Sequence, residues 1–211
     1  MITSSYHERY PATASKPARR KASYKGGASL RADLKITYAE YRALPETGPR
    51  YQLIEGDLVM SPAPSFFHQR LSGRLYRSLG TFVAEHRLGE VLYAPLDLIL
   101  DEENVLQPDL VFIAASQENI IAPEGLRGAP ALCVEILSPR TSELDTGIKR
   151  RLYARFGVEE YWLVSPEEKR IYVYRLQENA SAPAKILGLG DTLTSALFPG
   201  WAMRLEEFFA E

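Results

Sequence analysis

The chain of 211 residues contains 45% hydrophobic and 25% charged residues and carries a formal net charge of −2. These values are typical of a soluble globular protein that is long enough to bury a full core. The single cysteine, Cys133, excludes an internal disulfide framework and a cysteine-based zinc cluster. Apolar stretches stay well short of the roughly 18 residues of a membrane span, so we expect a cytoplasmic protein without membrane segments.

The charge is distributed unevenly along the chain. Residues 1–32 contain seven Lys or Arg residues and one acid, Glu8, which leaves an excess of acids in the remainder. A basic segment without hydrophobic periodicity is typical of a nucleic-acid-binding tail, a transit peptide or plain disorder. We predict a disordered basic arm over residues 1–33 and one domain over residues 34–211.

Periodicity and capping signals predict the elements of this domain in chain order. A capping box at Thr37 and Glu40 begins a short helix. The remaining predicted elements are a strand pair in YQLIEGDLVM, a helix from Phe67 to Arg87, strands in EVLYAPLDLIL, QPDLVFIA and ALCVEILS, a helix from Ser142 to Phe156, a hairpin of EYWLVS and RIYVYRL, short strands, and a helix through LEEFF. This order predicts an α/β or α+β fold in which helices flank a mixed central sheet.

The predicted helix from Phe67 to Arg87 is amphipathic. Apolar residues recur at every fourth position, and its other side carries Arg70, Arg74 and Arg77 at helical spacing. This arginine stripe is either a solvated polar face or a row of phosphate contacts.

Two acids stand at unusual places in predicted strands. Asp109 heads the apolar strand LVFIA, and Glu135 lies within ALCVEILS with apolar neighbours on both sides. A carboxylate is costly to bury unless it is paired or binds a cation. Two such acids on strands close in sequence favour a shared metal site, and oxygen ligands suit Mg²⁺.

Lys149 lies on the helix that follows the Glu135 strand. The predicted core-facing stripe of this helix is Leu144, Ile148 and Leu152, and Lys149 stands one step from it. Lys149 therefore borders the core and can reach the sheet.

The ordered segments QPDLVFI, VEILSP, K-x-x-x-Y and GVEEYWLVSPEEKRIYVYR resemble the bacterial Uma-type restriction endonuclease family, long described only as a domain of unknown function. That family belongs to the PD-(D/E)XK nuclease superfamily. The resemblance extends over residues 34–209 and implies a restriction-endonuclease-like fold.

By this resemblance, Asp109 and Glu135 match metal-binding acids, and the backbone carbonyl of Ile136 is a further ligand. Leu137 occupies the position where the superfamily has a lysine, and the resemblance implies that Lys149 replaces it. Three further residues match family positions: Glu55 as an additional acid of the site, with Gln107 and Tyr153 as supporting residues.

These observations predict a Mg²⁺- or Mn²⁺-dependent endonuclease that hydrolyses phosphodiester bonds in DNA. The superfamily leads us to expect a homodimer, because cutting both strands requires two centres. One alternative is an inactive nuclease-fold protein that binds nucleic acid or a protein partner. Another is a metal-dependent hydrolase of RNA or a small nucleotide.

Overall fold

The computed structural model describes residues 35–45 and 47–210, so the arm predicted for residues 1–33 lies outside the described part. The helices within it are α1 (Tyr38–Arg42), α2 (Phe66–His86), α3 (Ser142–Leu144), α4 (Arg150–Phe156) and α5 (Leu205–Phe208), with a π-helical turn (Asp145–Lys149) and a 3₁₀ segment (Ala115–Ile120). None of these described helices combines the length and apolar composition that a bilayer crossing requires.

The strands fall into two six-stranded sheets and one small pair. They are β1 (Arg50–Ile54), β2 (Asp57–Ser61), β3 (Gly89–Tyr93), β4 (Leu98–Asp101), β5 (Asn104–Leu106), β6 (Leu110–Ala114), β7 (Ile121–Ala122), β8 (Gly125–Arg127), β9 (Leu132–Ile136), β10 (Glu160–Ser165), β11 (Arg170–Arg175), β12 (Lys185–Leu187), β13 (Thr192–Leu193) and β14 (Met203–Arg204). The strand orders are β12-β11-β10-β9-β6-β3 in the central sheet and β2-β1-β5-β4-β8-β7 in the second sheet.

The central sheet is mixed, as the sequence predicts. Strands β9 and β10 are parallel, and the segment from α3 to α4 forms the crossover between them. The other pairs of this sheet are antiparallel. The structure therefore confirms an α+β fold with a mixed sheet flanked by helices, and adds a second sheet that the sequence does not reveal.

Helix α2 covers one face of the central sheet. Its side chains Leu71, Leu75, Leu79 and Val83 are buried against residues of β6, β9 and β10. Burial of a leucine or valine side chain stabilises the fold by about 1.5–3 kcal/mol. The predicted apolar stripe is thus the contact that fixes α2 on the sheet.

The opposite face of the central sheet packs against α4 and the second sheet. Leu152 and Tyr153 of α4 share this core with Val111, Cys133 and Leu163 of the central strands. Residues on this face alternate along β6 and β9 with those that contact α2, because side chains of a strand point to opposite faces in turn.

Local signals predict several element boundaries. The capping box at Thr37 is present, with the side chain of Glu40 accepting from the Thr37 N–H at 2.8 Å. Helix α2 ends at His86, one residue before the predicted end at Arg87, which caps it in the left-handed region (φ 55°). The hairpin of β10 and β11 is present with six paired positions.

The strand segment EVLYAPLDLIL divides between the two sheets. Its first part, β3, pairs with β6 in the central sheet, and its second part, β4, pairs with β5 and β8 in the second sheet. Pro95 lies in the break and lacks the N–H that a continuous ladder needs.

The crossover helix differs from the predicted pattern. It spans Ser142 to Phe156 as expected, but the π-helical turn interrupts it. Within this turn, Asp145 and Lys149 are the most buried residues, at 1% and 2% exposure. Ile148 in the turn and Leu144 just before it are only half-buried. The predicted Leu144–Ile148–Leu152 core stripe is therefore wrong at Leu144, whereas Ile148 is half-buried and packs against the core with Leu152.

Candidate active site

Asp109 and Glu135 lie at the same end of the β6–β9 pair. The antiparallel register aligns Leu110 with Val134 and Val111 with Cys133, and Asp109 directly precedes this paired segment. The backbone N–H of Ile136, the residue after Glu135, donates to the Asp109 carboxylate, and the Asp109 charge raises the pKa of Glu135. The structure therefore brings Asp109 close to Glu135, which is bonded to Lys149.

The carboxylate of Asp109 is held by two donors. Its Oδ2 accepts from the backbone N–H of Ile136 at 2.7 Å, and Nε2 of His68 lies 3.1 Å from the same oxygen. His68 belongs to the first turn of α2, whose N-cap is Ser65. The N-terminus of α2 therefore reaches the head of β6.

Glu135 is buried and bonded to the crossover helix. Its Oε1 accepts from Nζ of Lys149 at 3.0 Å and from the hydroxyl of Tyr153 at 2.8 Å. Nζ of Lys149 also lies 2.9 Å from Oδ1 of Asp145. The side chains of Glu135, Asp145 and Lys149 are 4%, 2% and 3% exposed, so solvent screens their charges weakly.

Acids outnumber bases in this buried cluster, and burial and charge together shift the pKa values of Glu135 and Lys149. Burial raises the pKa of Glu135 to about 8, the Lys149 charge lowers it, and the charges of Asp145 and Asp109 raise it further. Burial lowers the pKa of Lys149, but the charges of Glu135 and Asp145 outweigh this and raise it. The acidic partners of Lys149 therefore favour its ammonium form.

Tyr153 and His68, which lie against the two acids, also have raised pKa values. Burial and the nearby Glu135 charge raise the pKa of the Tyr153 hydroxyl well above its ordinary value, so it keeps its proton. Burial lowers the pKa of His68, but its hydrogen bond to Asp109 and the charges of Asp109 and Asp145 outweigh this and raise it. Nδ1 of His68 is buried without a hydrogen bond to any described residue.

The donor set fits a hard divalent cation. Bonds to described residues use Oδ2 of Asp109 and Oε1 of Glu135, so the other oxygen of each carboxylate is open to a ligand. A cation would also offset the surplus negative charge. Over residues 35–45 and 47–210, no group of three His, Cys, Asp or Glu side chains is arranged around a metal position. The ligand set that the resemblance implies consists of two carboxylates and one backbone carbonyl. This set needs two acidic side chains and not three.

Glu55 does not join these residues. It is exposed in the turn between β1 and β2, in the left-handed region (φ 50°), and its N–H donates to Oδ1 of Asn104. Because β1 runs antiparallel to β5, Glu55 lies at the opposite end of this pair from Gln107, whose N–H bonds to Gln52. The expectation that Glu55 completes the site is corrected by this register.

Gln107 supports the strand that leads to Asp109. Its amide Nε2 donates to Oδ1 of Asp97 at 2.8 Å, and the hydroxyl of Tyr41 donates to the same oxygen at 3.1 Å. Gln107 therefore connects α1 and the second sheet to the residues before β6, and its hydrogen bonds are to Gln52, Tyr41 and Asp97.

The three arginines of α2 differ in their surroundings. The guanidinium of Arg74 donates to the backbone carbonyls of Phe208 and Ala210 and so holds the C-terminal segment. The guanidinium of Arg70 lies 4.9 Å from the centre of the Phe66 ring. Arg77 lines a surface groove between α2 and β3. Arg74 is thus occupied in a structural contact, which removes it from the predicted row of phosphate contacts.

Neither Asp145 nor His68 is among the site residues that the sequence predicts. Asp145 precedes Lys149 by four residues, a spacing that places both on one helix face, and this was the available signal. The contact of His68 with Asp109 joins residues 41 positions apart, and no local pattern reveals it.

A mixed sheet with acids on neighbouring strands and a buried lysine on the crossover helix defines a restriction-endonuclease-like protein. A family model described as "Uma2: Putative restriction endonuclease" matches residues 38–206, and the chain belongs to this family.

A solved structure described as "a putative nuclease belonging to DUF820", from Anabaena variabilis ATCC 29413, has a TM-score of 0.70 and 21% identity to this chain. The match covers 82% of this chain and 97% of that one, and at this identity it shows the fold alone. No curated protein matches the chain.

Proposed function

We propose that this protein is a Mg²⁺- or Mn²⁺-dependent endonuclease that hydrolyses phosphodiester bonds in DNA. The observation that carries the proposal is the proximity of Asp109, whose carboxylate accepts from the Ile136 N–H, to the buried pair of Glu135 and Lys149. Membership of a family described as restriction endonucleases supports the same reaction class. A phosphodiester is anionic and repels a hydroxide nucleophile, so its hydrolysis needs positive charge at the site.

Asp109, Glu135 and the backbone carbonyl of Ile136 would hold the metal ion. The N–H of Ile136 faces Asp109, and the N–H and C=O of one strand residue point to the same edge. Oxygen ligands of this kind suit Mg²⁺, which keeps several waters. When bound, the ion would supply Lewis-acid stabilisation of the phosphate and lower the pKa of a water.

The other residues of the site hold these ligands and supply charge. His68 and the Ile136 N–H fix the orientation of the Asp109 carboxylate, and Tyr153 fixes that of Glu135. The ammonium of Lys149 stabilises negative charge that develops on the phosphate and orients the attacking water. Electrostatic groups of this kind contribute about 10²–10³ in rate each.

Cleavage of supercoiled plasmid by the full chain in Mg²⁺ tests the proposal. Asp109→Asn should nearly abolish nicking while thermal unfolding remains cooperative. The matched control is Glu160→Gln, because Glu160 is another buried acid, bonded to Trp162 and Ser195 on the opposite sheet face. Nicking by Asp109→Asn at the wild-type rate contradicts the assignment.

A specific observation favours a second candidate, an inactive nuclease-fold protein that binds DNA or a protein partner. Leu137 stands where the superfamily has its lysine, and Lys149 is bonded to two carboxylates inside the protein. Calorimetric titration with Mg²⁺ separates the candidates. An absence of Mg²⁺ binding by the wild-type protein, together with retained DNA binding, favours the inactive protein.

The substrate and the assembly are tested separately. Single-stranded DNA, duplex DNA and RNA of one sequence, incubated side by side, distinguish a DNA endonuclease from an enzyme of RNA or small nucleotides. We further propose a homodimer, since a double-strand break requires two centres. Sedimentation equilibrium of the full chain with and without duplex DNA measures this, and a monomer in both conditions contradicts it.

A further inference from the structure

Asp145 is a buried acid to which the proposed chemistry gives no role. It is 1% exposed, and its Oδ1 lies 2.9 Å from Nζ of Lys149. It lies in the π-helical turn that also contains Lys149. Such turns occur often at functional sites, and a buried carboxylate is costly without a compensating contact.

The position of Asp145 is fixed by a neighbouring strand. The hydroxyl of Tyr161, a fully buried residue of β10, donates to the backbone carbonyl of Asp145 at 3.0 Å. This contact engages a carbonyl of the π-helical turn itself. Because β10 lies beside β9, the strand of Glu135, the turn is held at a fixed place above the site.

Lys149 makes two unequal contacts. Its bond to Oε1 of Glu135 has hydrogen-bond geometry, whereas its contact with Oδ1 of Asp145 is close in distance but is not an aligned hydrogen bond. A cation at Glu135 would compete with Lys149 for that carboxylate. The ammonium would then keep one acidic partner, Asp145, and a small rotation of the side chain would align that bond.

We propose that Asp145 is a positioning residue that retains the Lys149 ammonium at the site and so leaves Glu135 free to bind the cation. This assignment rests on the proposed metal-dependent function. Without Asp145, each cation bound at Glu135 would leave a buried ammonium without a charged partner, which opposes cation binding.

Calorimetric titration of the full chain with Mg²⁺ and Mn²⁺ tests the assignment, with plasmid cleavage as the second readout. Asp145→Asn should lower cation affinity by about tenfold or more, as loss of contacts behind metal ligands does. At saturating cation it should lower kcat while leaving KM for DNA unchanged. Glu160→Gln should leave cation affinity unchanged, whatever its effect on Tm. If Asp145→Asn binds the cation with wild-type affinity and cleaves with the wild-type kcat, the assignment is overturned.

A double-mutant cycle separates positioning from a general loss of negative charge. In a Lys149→Met background, Asp145→Asn should no longer lower cation affinity, because the partner through which Asp145 acts is gone. An equal loss in both backgrounds overturns the assignment and favours a direct charge effect on the cation.

A second variant covers the case in which Asp145→Asn does not fold. Tyr161→Phe removes only the hydroxyl that holds the Asp145 carbonyl, and it should lower cation affinity in the same direction by a smaller factor. Unchanged affinity in that variant overturns the assignment. A wild-type protein that binds no cation contradicts the proposed function and, with it, the role of Asp145, whereas cation binding that is insensitive to Asp145 contradicts the role alone.

Discussion

Lys149 and Glu135 form an ion pair of 3.0 Å in which both side chains are at most 4% exposed. Removing two charges from water is costly, and the pair persists because further donors and acceptors surround it. Tyr153 donates to the same Glu135 oxygen, and Asp145 approaches Lys149 from the other side. The site therefore combines a buried positive charge with acids that are not fully neutralised.

Lys149→Met should destabilise the metal-free protein strongly. It leaves Glu135 and Asp145 buried without an ammonium, and breaking a buried pair on one side costs about 3–5 kcal/mol. Urea unfolding in EDTA measures the free energy of unfolding. Added Mg²⁺ should restore part of the loss, since a cation supplies the missing positive charge.

The control for that change is Arg151→Met. Arg151 is exposed on the same helix, and surface substitutions stay within about ±0.5 kcal/mol. Equal unfolding free energies for the Lys149 and Arg151 variants would show that the buried pair adds nothing to stability.

His68→Gln should remove a pH-dependent part of the stability of the metal-free protein. The pKa of His68 is raised from its ordinary value of 6.5, by Asp109 and Asp145 against the effect of burial. A group whose folded pKa is raised stabilises the fold fully below pH 6.5, and this contribution is lost as pH rises through the raised pKa.

Urea unfolding in EDTA between pH 5.5 and pH 8.5 checks this. The stability difference between wild type and His68→Gln should shrink as pH increases. His86→Gln is the control, because His86 is exposed and, among the described residues, its hydrogen bond is to the Phe82 carbonyl in its own helix. A difference that is constant over this range refutes the predicted link between His68 and Asp109.

The sequence predicts those features that depend on neighbours in the chain. The capping box at Thr37, the apolar stripe of α2 and the hairpin of β10 and β11 each follow from a local pattern, and each is present. The division of EVLYAPLDLIL between two sheets depends on which distant strands accept β3 and β4, and no local pattern encodes that choice.

The candidate site was predictable to the extent that unusual residues mark it. An acid in an apolar strand is conspicuous, so Asp109 and Glu135 could be selected, and the structure brings them together through the bond from the Ile136 N–H to Asp109. Burial of Asp145 depends on a π-helical turn whose carbonyl is held by Tyr161, and helical periodicity assumes that no such turn occurs. Glu55 was selected by resemblance alone, and strand register separates it from the site.

Two arginines of α2 should differ in their effect on DNA binding. Arg77 lines the groove between α2 and β3, while Arg74 is bonded to the carbonyls of Phe208 and Ala210. If the arginine stripe of α2 contacts phosphates, Arg77→Ala should weaken the salt dependence of DNA binding. The slope of the logarithm of the DNA association constant against the logarithm of salt concentration should fall in magnitude by about 1. Arg74→Ala should leave the slope unchanged and lower the free energy of unfolding by about 1.5–3 kcal/mol.

Fluorescence anisotropy with labelled duplex DNA in EDTA, at several salt concentrations, measures both slopes. Identical slopes for wild type and Arg77→Ala would identify the stripe as a solvated polar face.

Glu55→Gln and Glu135→Gln form a matched pair that tests which glutamate belongs to the site. Both changes replace a carboxylate by an amide of the same shape. Glu55 is exposed in a turn at the far end of β1, whereas Glu135 is 3% exposed and bonded to Lys149 and Tyr153. Glu55→Gln should therefore cleave DNA at the wild-type rate and bind Mg²⁺ normally.

Glu135→Gln should lose both Mg²⁺ binding and cleavage, because an amide lacks the charge that a divalent ion requires of its ligands. It should also lower stability in EDTA, since the ammonium of Lys149 would lose one of the two acidic partners that it has among the described residues. Parallel calorimetry, plasmid cleavage and urea unfolding of the two variants provide the comparison. Loss of cleavage in Glu55→Gln with retention in Glu135→Gln would mean that the reacting centre lies at the second sheet, and the site described around Lys149 would then be structural.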